Sequence, residues 1–113
     1  MLLTHFGDES LAEPLLALFA DPQKGVRAVV IRELPIEKWS AATQERVRLA
    51  ALDRLRDRAT EVRCAAAYVL VSVGKREDVE TLRNGLKDIK GHSPRTAYGD
   101  YLDLLTKRFR VKG

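Results

Sequence analysis

The sequence predicts an all-α chain: a short α-solenoid of about three helix pairs, roughly six helices and no sheet. Three observations predict it. DPQKGVRAVVIREL at Asp21–Leu34 returns as DRATEVRCAAAYVL at Asp57–Leu70, with Asp, Val-Arg and the closing Leu at a constant offset of 36. A weaker third copy, DIKGHSPRTAYGDYL, starts at Asp88 and puts Arg95 and Leu102 each 32 residues after Arg63 and Leu70. Apolar residues in the best copy, Val62, Ala66, Val69 and Val73, follow the spacing of one helical stripe. Self-similarity at a fixed period of this size marks stacked repeats.

Each copy is preceded by a second element that ends near the same Asp. LAEPLLALFA stands before Asp21, VRLAALDRLR before Asp57 and VETLRNGLK before Asp88, with Phe19, Leu55 and Leu86 two residues upstream of the Asp. The unit is therefore a helix pair, and the boundaries fall at about 8–34, 41–73 and 78–109 within one domain, 1–113. The middle unit carries about five extra residues, which fall in PIEKWSAATQ, and Ser40 there is placed to cap the helix that follows.

The core follows from the stripes. Val62, Ala66, Val69, Leu70, Val73, Leu82 and Leu86 are expected to be buried at the centre, with Val79, Leu82, Leu86 and Ile89 facing the Val62 stripe. Ala65, Ala66 and Ala67 keep that helix thin, and Gly85 allows close helix approach. Asp57 sits where a helix entry needs an acceptor, and Arg63 lies within reach of a carboxylate from its own or a neighbouring unit.

The pattern D-x-x-x-x-V-R, then a small apolar helix, a Gly and a Leu-rich helix, resembles the HEAT-like repeats, including the PBS-lyase type. The best match is Asp57–Asp88, through Val62, Arg63, Ala66, Leu70, Gly74 and Leu82. The outer copies depart from it, with Pro35 and Ile36 near the expected helix end and Pro94 in place of Val. The resemblance implies a right-handed solenoid in which the repeated Asp and Arg tie consecutive units together and the helix after Val-Arg lines the concave side. It implies an architecture, and function needs a site.

On that helix Glu61, Cys64, Ala65, Tyr68 and Ser72 share a face away from Val62, and the repeat offsets carry these positions to Lys24, Ala28 and Arg32 and to Thr96, Ala97, Asp100 and Leu104. Arg32, Tyr68 and Asp100 are expected to form one column, chemically suited to binding a protein, since Tyr and Arg are frequent interface hot spots. Trp39, the single tryptophan, is either a loop anchor folded onto the core or an exposed binding knob. The candidate partner-binding residues are Lys24, Arg32, Trp39, Glu61, Tyr68, Ser72 and Asp100.

The net charge of +4 is uneven, because residues 1–22 hold four acids and no Lys or Arg. Arg46, Arg48, Arg54, Arg56, Arg58 and Arg63 crowd one region, and Lys107, Arg108, Arg110 and Lys112 end the chain. Such clusters can neutralise phosphates, which makes a nucleic-acid-binding module the alternative. Chemistry is not indicated. His5 and His92 have no metal-site spacing, Cys64 has no histidine near it in sequence, and the glycines form no phosphate-cradling pattern, so no catalytic, cofactor or metal residues are assigned.

MLLTHFGDES has no signal-peptide pattern and no apolar stretch of about 18 residues occurs, so the expected place is the cytoplasm, with no membrane partner. A single cysteine agrees with a reducing compartment. The expected function is a non-enzymatic protein-binding scaffold or adaptor, or an inhibitor of the immunity-protein kind. Met1–Phe6 supply only a stub of a first helix, so Leu11, Leu15 and Leu18 are expected to expose apolar surface. That favours a homodimer through the N-terminal helices, or a piece of a longer array.

Overall fold

The computed structural model describes residues 8–110, and every described element is helical: α1 (Ala12–Ala17), α2 (Lys24–Glu33), α3 (Ala41–Arg54), α4 (Thr60–Val73), α5 (Asp78–Leu86) and α6 (His92–Phe109). Short 3-10 turns flank α1 at Glu9–Leu11 and Leu18–Ala20, and a third spans Ile36–Lys38. Helix α3 packs against α4 and α5 against α6, while α2 packs against the 3-10 turn Leu18–Ala20 that follows α1. The stub at Met1–Phe6 lies outside the described residues.

The ends of the helices follow from local chemistry. Leu34, φ −62° and ψ 131°, leaves the helical region because Pro35 follows it, so α2 stops at Glu33. Ser40 caps α3 by accepting the Thr43 N–H at 3.3 Å, as expected. Glu9 reinforces the same end, accepting the Ser40 N–H at 3.0 Å and bonding the hydroxyls of Ser40 and Thr43. At the other end of α4, Arg108 reaches back from α6 to the carbonyls of Val71, Ser72 and Gly74 at 2.5, 2.9 and 2.6 Å, satisfying acceptors that have no partner within the helix.

Helix α4 is the centre of the molecule. It packs against α2 on one side and α6 on the other, with α3 behind it, while α1 meets α3 and α5 meets α6. Val62, Ala66, Val69, Leu70 and Leu82 are buried as the stripes require, together with Val47, Ala51, Ile89, Tyr98 and Leu105. Val73 and Leu86 correct the expectation: each is only half-buried, because Val73 closes α4 and Leu86 closes α5, beyond the middle of the packed layer. Tyr98 fills the space above Gly85 and donates its hydroxyl to the Leu82 carbonyl at 2.8 Å.

The repeated Asp and Arg are structural, in a different arrangement from the expected one. Asp57 lies two residues ahead of the α4 N-cap, Ala59, and its carboxylate accepts the Ala59 N–H at 2.8 Å; Asp21 does the same for Gln23 ahead of α2, at 2.9 Å. These are turns that lead into helices, not caps. Arg63 bonds the backbone carbonyl of Asp57, while the Asp57 carboxylate takes Arg27 of the preceding unit. The tie between units therefore runs from Arg27 forward.

Candidate interaction surface

Helices α2, α4 and α6 lie side by side, so residues at equivalent turns come together on one face. Arg32 on α2 places its guanidinium carbon 5.5 Å from the Tyr68 ring centroid on α4. The Tyr101 ring on α6 meets Tyr68 edge-on, with centroids 5.5 Å apart and an interplanar angle of 68°. Such contacts hold large side chains in fixed positions without burying them. Tyr68 keeps 43% of its surface exposed, and Val29 on α2 and Leu104 on α6 keep 44% and 51%. Of the four large hydrophobics exposed in the described chain, only Leu49 on α3, at 55%, lies elsewhere.

Among the candidate residues, Lys24, Arg32, Glu61, Tyr68, Ser72 and Asp100 are all exposed. Lys24 and Glu61 pair across α2 and α4 at 3.4 Å. Arg32 and Tyr68 are adjacent as expected, but the residue against Tyr68 on α6 is Tyr101, not Asp100. Trp39 corrects the binding-knob option: it is only 4% exposed and belongs to the core, which is the loop-anchor option. Its indole N–H is buried with no hydrogen-bond partner. Ala28, Cys64 and Ala65 are also buried, because neighbours on both sides of α4 and α2 cover a wider arc than a single apolar stripe. Burial pushes the Cys64 thiol up, and Arg32 only partly offsets this, which keeps it a protonated thiol at neutral pH.

The crowded arginines are mostly occupied within the molecule. Arg48 grips Asp78 through Nε and Nη2 at 2.7 and 2.8 Å and also reaches Glu45 at 2.9 Å. Arg46 pairs with Glu13, and Arg54 with Asp53 at 2.7 Å and Asp57 at 3.3 Å. Lys107 pairs with Asp103 at 3.0 Å, and Arg108 is held by the end of α4. Arg56 and Arg58 make no ion pair among the described residues. No helix among those residues is long and apolar enough to cross a membrane.

Comparison with protein-family models, with curated proteins and with solved structures finds no match for this chain.

Proposed function

We propose that the chain is a HEAT-like module without chemistry of its own, which binds another protein across the exposed face of α2, α4 and α6, as an adaptor or as an inhibitor of the immunity-protein kind. The observation that carries this is the row Arg32–Tyr68–Tyr101 between exposed Val29 and Leu104. Aromatic and arginine side chains already held in place lose little conformational freedom on docking, and they have the composition of interface hot spots. Lys24, Glu61, Ser72 and Asp100 supply a polar rim around an apolar centre.

The alternative, a nucleic-acid module with an Arg-rich face, has less to support it, since most of those arginines are engaged with acids and carbonyls. Self-association through the N-terminal helices also has less behind it: Leu15 is buried, and Leu11 and Leu18 are half-buried against the core. The test is affinity capture from the native host, followed by measurement of binding to the purified partner. Tyr68→Ala should weaken that complex by roughly 2 kcal/mol, about thirtyfold, while leaving thermal unfolding nearly unchanged. A complex indifferent to both Tyr68→Ala and Arg32→Glu would exclude this face.

A further inference from the structure

The repeat sets one arginine of each unit to the same task. Arg27, Arg63 and Arg95 each donate to the carbonyl six residues upstream, that of Asp21 at 2.7 Å, of Asp57, and of Ile89 at 2.9 Å. Arg27 then offers Nε and Nη2 to the Asp57 carboxylate of the next unit, at 2.9 and 3.0 Å. Arg63 has no such acid. The position that matches Asp57 in the third unit is Ile89, which is buried in the core. Among the described residues neither Nη1 nor Nη2 of Arg63 has an acceptor, and Arg63 makes no ion pair.

A cavity opens at each of the two junctions, lined by Arg27 at the first and by Arg63 at the second. Between the first and second units it measures about 430 Å³ and contains the Arg27–Asp57 pair. Between the second and third it measures about 380 Å³, with Leu55 in its wall and Arg56, Arg63, Thr81, Asn84 and Asp88 around it. The second cavity thus holds two arginines without ion pairs and a single acid, Asp88, which lies more than 4.0 Å from either as an ion-pair partner. Two neutral groups, Thr81 and Asn84, add further hydrogen-bonding capacity.

We propose that the cavity between the second and third units is a carboxylate-binding site, in which the Nη1–Nη2 edge of Arg63 together with Arg56 holds an acidic group brought by a ligand. The ligand's carboxylate fills the role that Asp57 fills for Arg27. A planar guanidinium edge matches a carboxylate with two parallel hydrogen bonds. Asp88 works against binding and sets a modest affinity. The site lies at the ends of α3 and α5, in the other layer from the α2, α4 and α6 face, and it does not depend on the function proposed for that face.

Two probes carry the same chemistry from different sources: succinate as a free dicarboxylate, and the capped peptide Ala-Glu-Glu-Ala as an acidic protein segment. Each is titrated into the ¹⁵N-labelled chain at constant ionic strength while the backbone amide signals of Asn84 and Gly85, which line the cavity and persist in every variant, are followed. The expected result is a saturable shift with an apparent Kd of about 1 mM, lost in Arg63→Gln, weakened in Arg56→Gln and strengthened in Asp88→Asn. The tighter probe identifies the source. Arg63→Lys keeps the charge without the fork and should also lose the shift, which covers the case of Arg63→Gln failing to fold. An absent shift, one reproduced by chloride alone, one that survives both Arg63 variants, or one lost in Asp88→Asn would overturn the proposal.

Discussion

Arg48 and Asp78 leave only 7% and 2% of their side chains exposed, so neither charge has water to fall back on. Asp78 also accepts the Lys75 N–H at 2.7 Å, which makes it the anchor of the turn between α4 and α5 as well as the partner of α3. Removing one member of such a pair strands the other. Arg48→Met should therefore cost about 3–5 kcal/mol in urea denaturation, and adding Asp78→Asn should recover part of that loss, because an amide can keep the Lys75 bond without a charge. Equal stability of the single and double variants would mean that stranding is not the cause.

The same acids determine the response to pH. Burial alone would raise the Asp57 and Asp78 carboxyls, but the bonds from Arg27 and the Ala59 amide, and from Arg48 and the Lys75 amide, outweigh it and hold both below 3.8. A depressed folded pKa contributes stability that is complete above the unfolded value, about 3.9, and disappears as pH falls through the folded one. Stability should accordingly be level near neutrality and decline below about pH 4, with a shallower acid limb in Asp78→Asn. An identical acid limb in that variant would take Asp78 out of the account.

At the scale of one element, α5 against α6 turns on a single hydrogen atom. A Cβ built on Gly85 would collide with the Tyr98 hydroxyl, which is itself fixed to the Leu82 carbonyl. Gly85→Ala should therefore cost about 1–3 kcal/mol, against the roughly 1 kcal/mol that alanine normally gains over glycine in a helix. In the Tyr98→Phe background the same change should be close to neutral. A double-mutant cycle checks this: a coupling energy near zero would show that the hydroxyl is not what glycine makes room for. Gly85 as a point of close approach was legible in the sequence because glycine inside an amphipathic helix has few other uses. So was the order of the helices, since the 36- and 32-residue offsets repeat the hydrogen bond from Arg to the carbonyl six residues back.

The rest was hidden by packing. The angular reading of α4 put Cys64 and Ala65 on the surface, because one stripe of apolar residues cannot reveal that α2 and α6 cover both flanks. Tyr101 escaped it because an offset of 32 from Tyr68 lands on Asp100, while contact between neighbouring helices allows a residue one position on to make the stack. Likewise Asp88 looked like the third copy of Asp57, although the Arg95 bond to Ile89 sets the register one residue later.

For the whole molecule, the six helices pack as one compact body and not as an extended spiral. The radius of gyration is 13.4 Å, against roughly 13 Å expected for a compact domain of this length. One continuous core runs from Ala12 to Leu105, with α4 in contact with α2, α3 and α6 at once. Unfolding should therefore be a single cooperative transition rather than a sequence of units. Val69, buried on α4, is the place to test it. In Val69→Asp a buried charge without a partner costs several kcal/mol, comparable with the whole of a stability of about 5–15 kcal/mol. Because every unit leans on α4, circular dichroism should show helix lost throughout the chain at 25 °C, or a single transition at much lower temperature if some stability survives. A variant that kept a third or more of its helix after α4 melted, with a second transition at higher temperature, would show that the units hold together on their own and that α4 is not the common support.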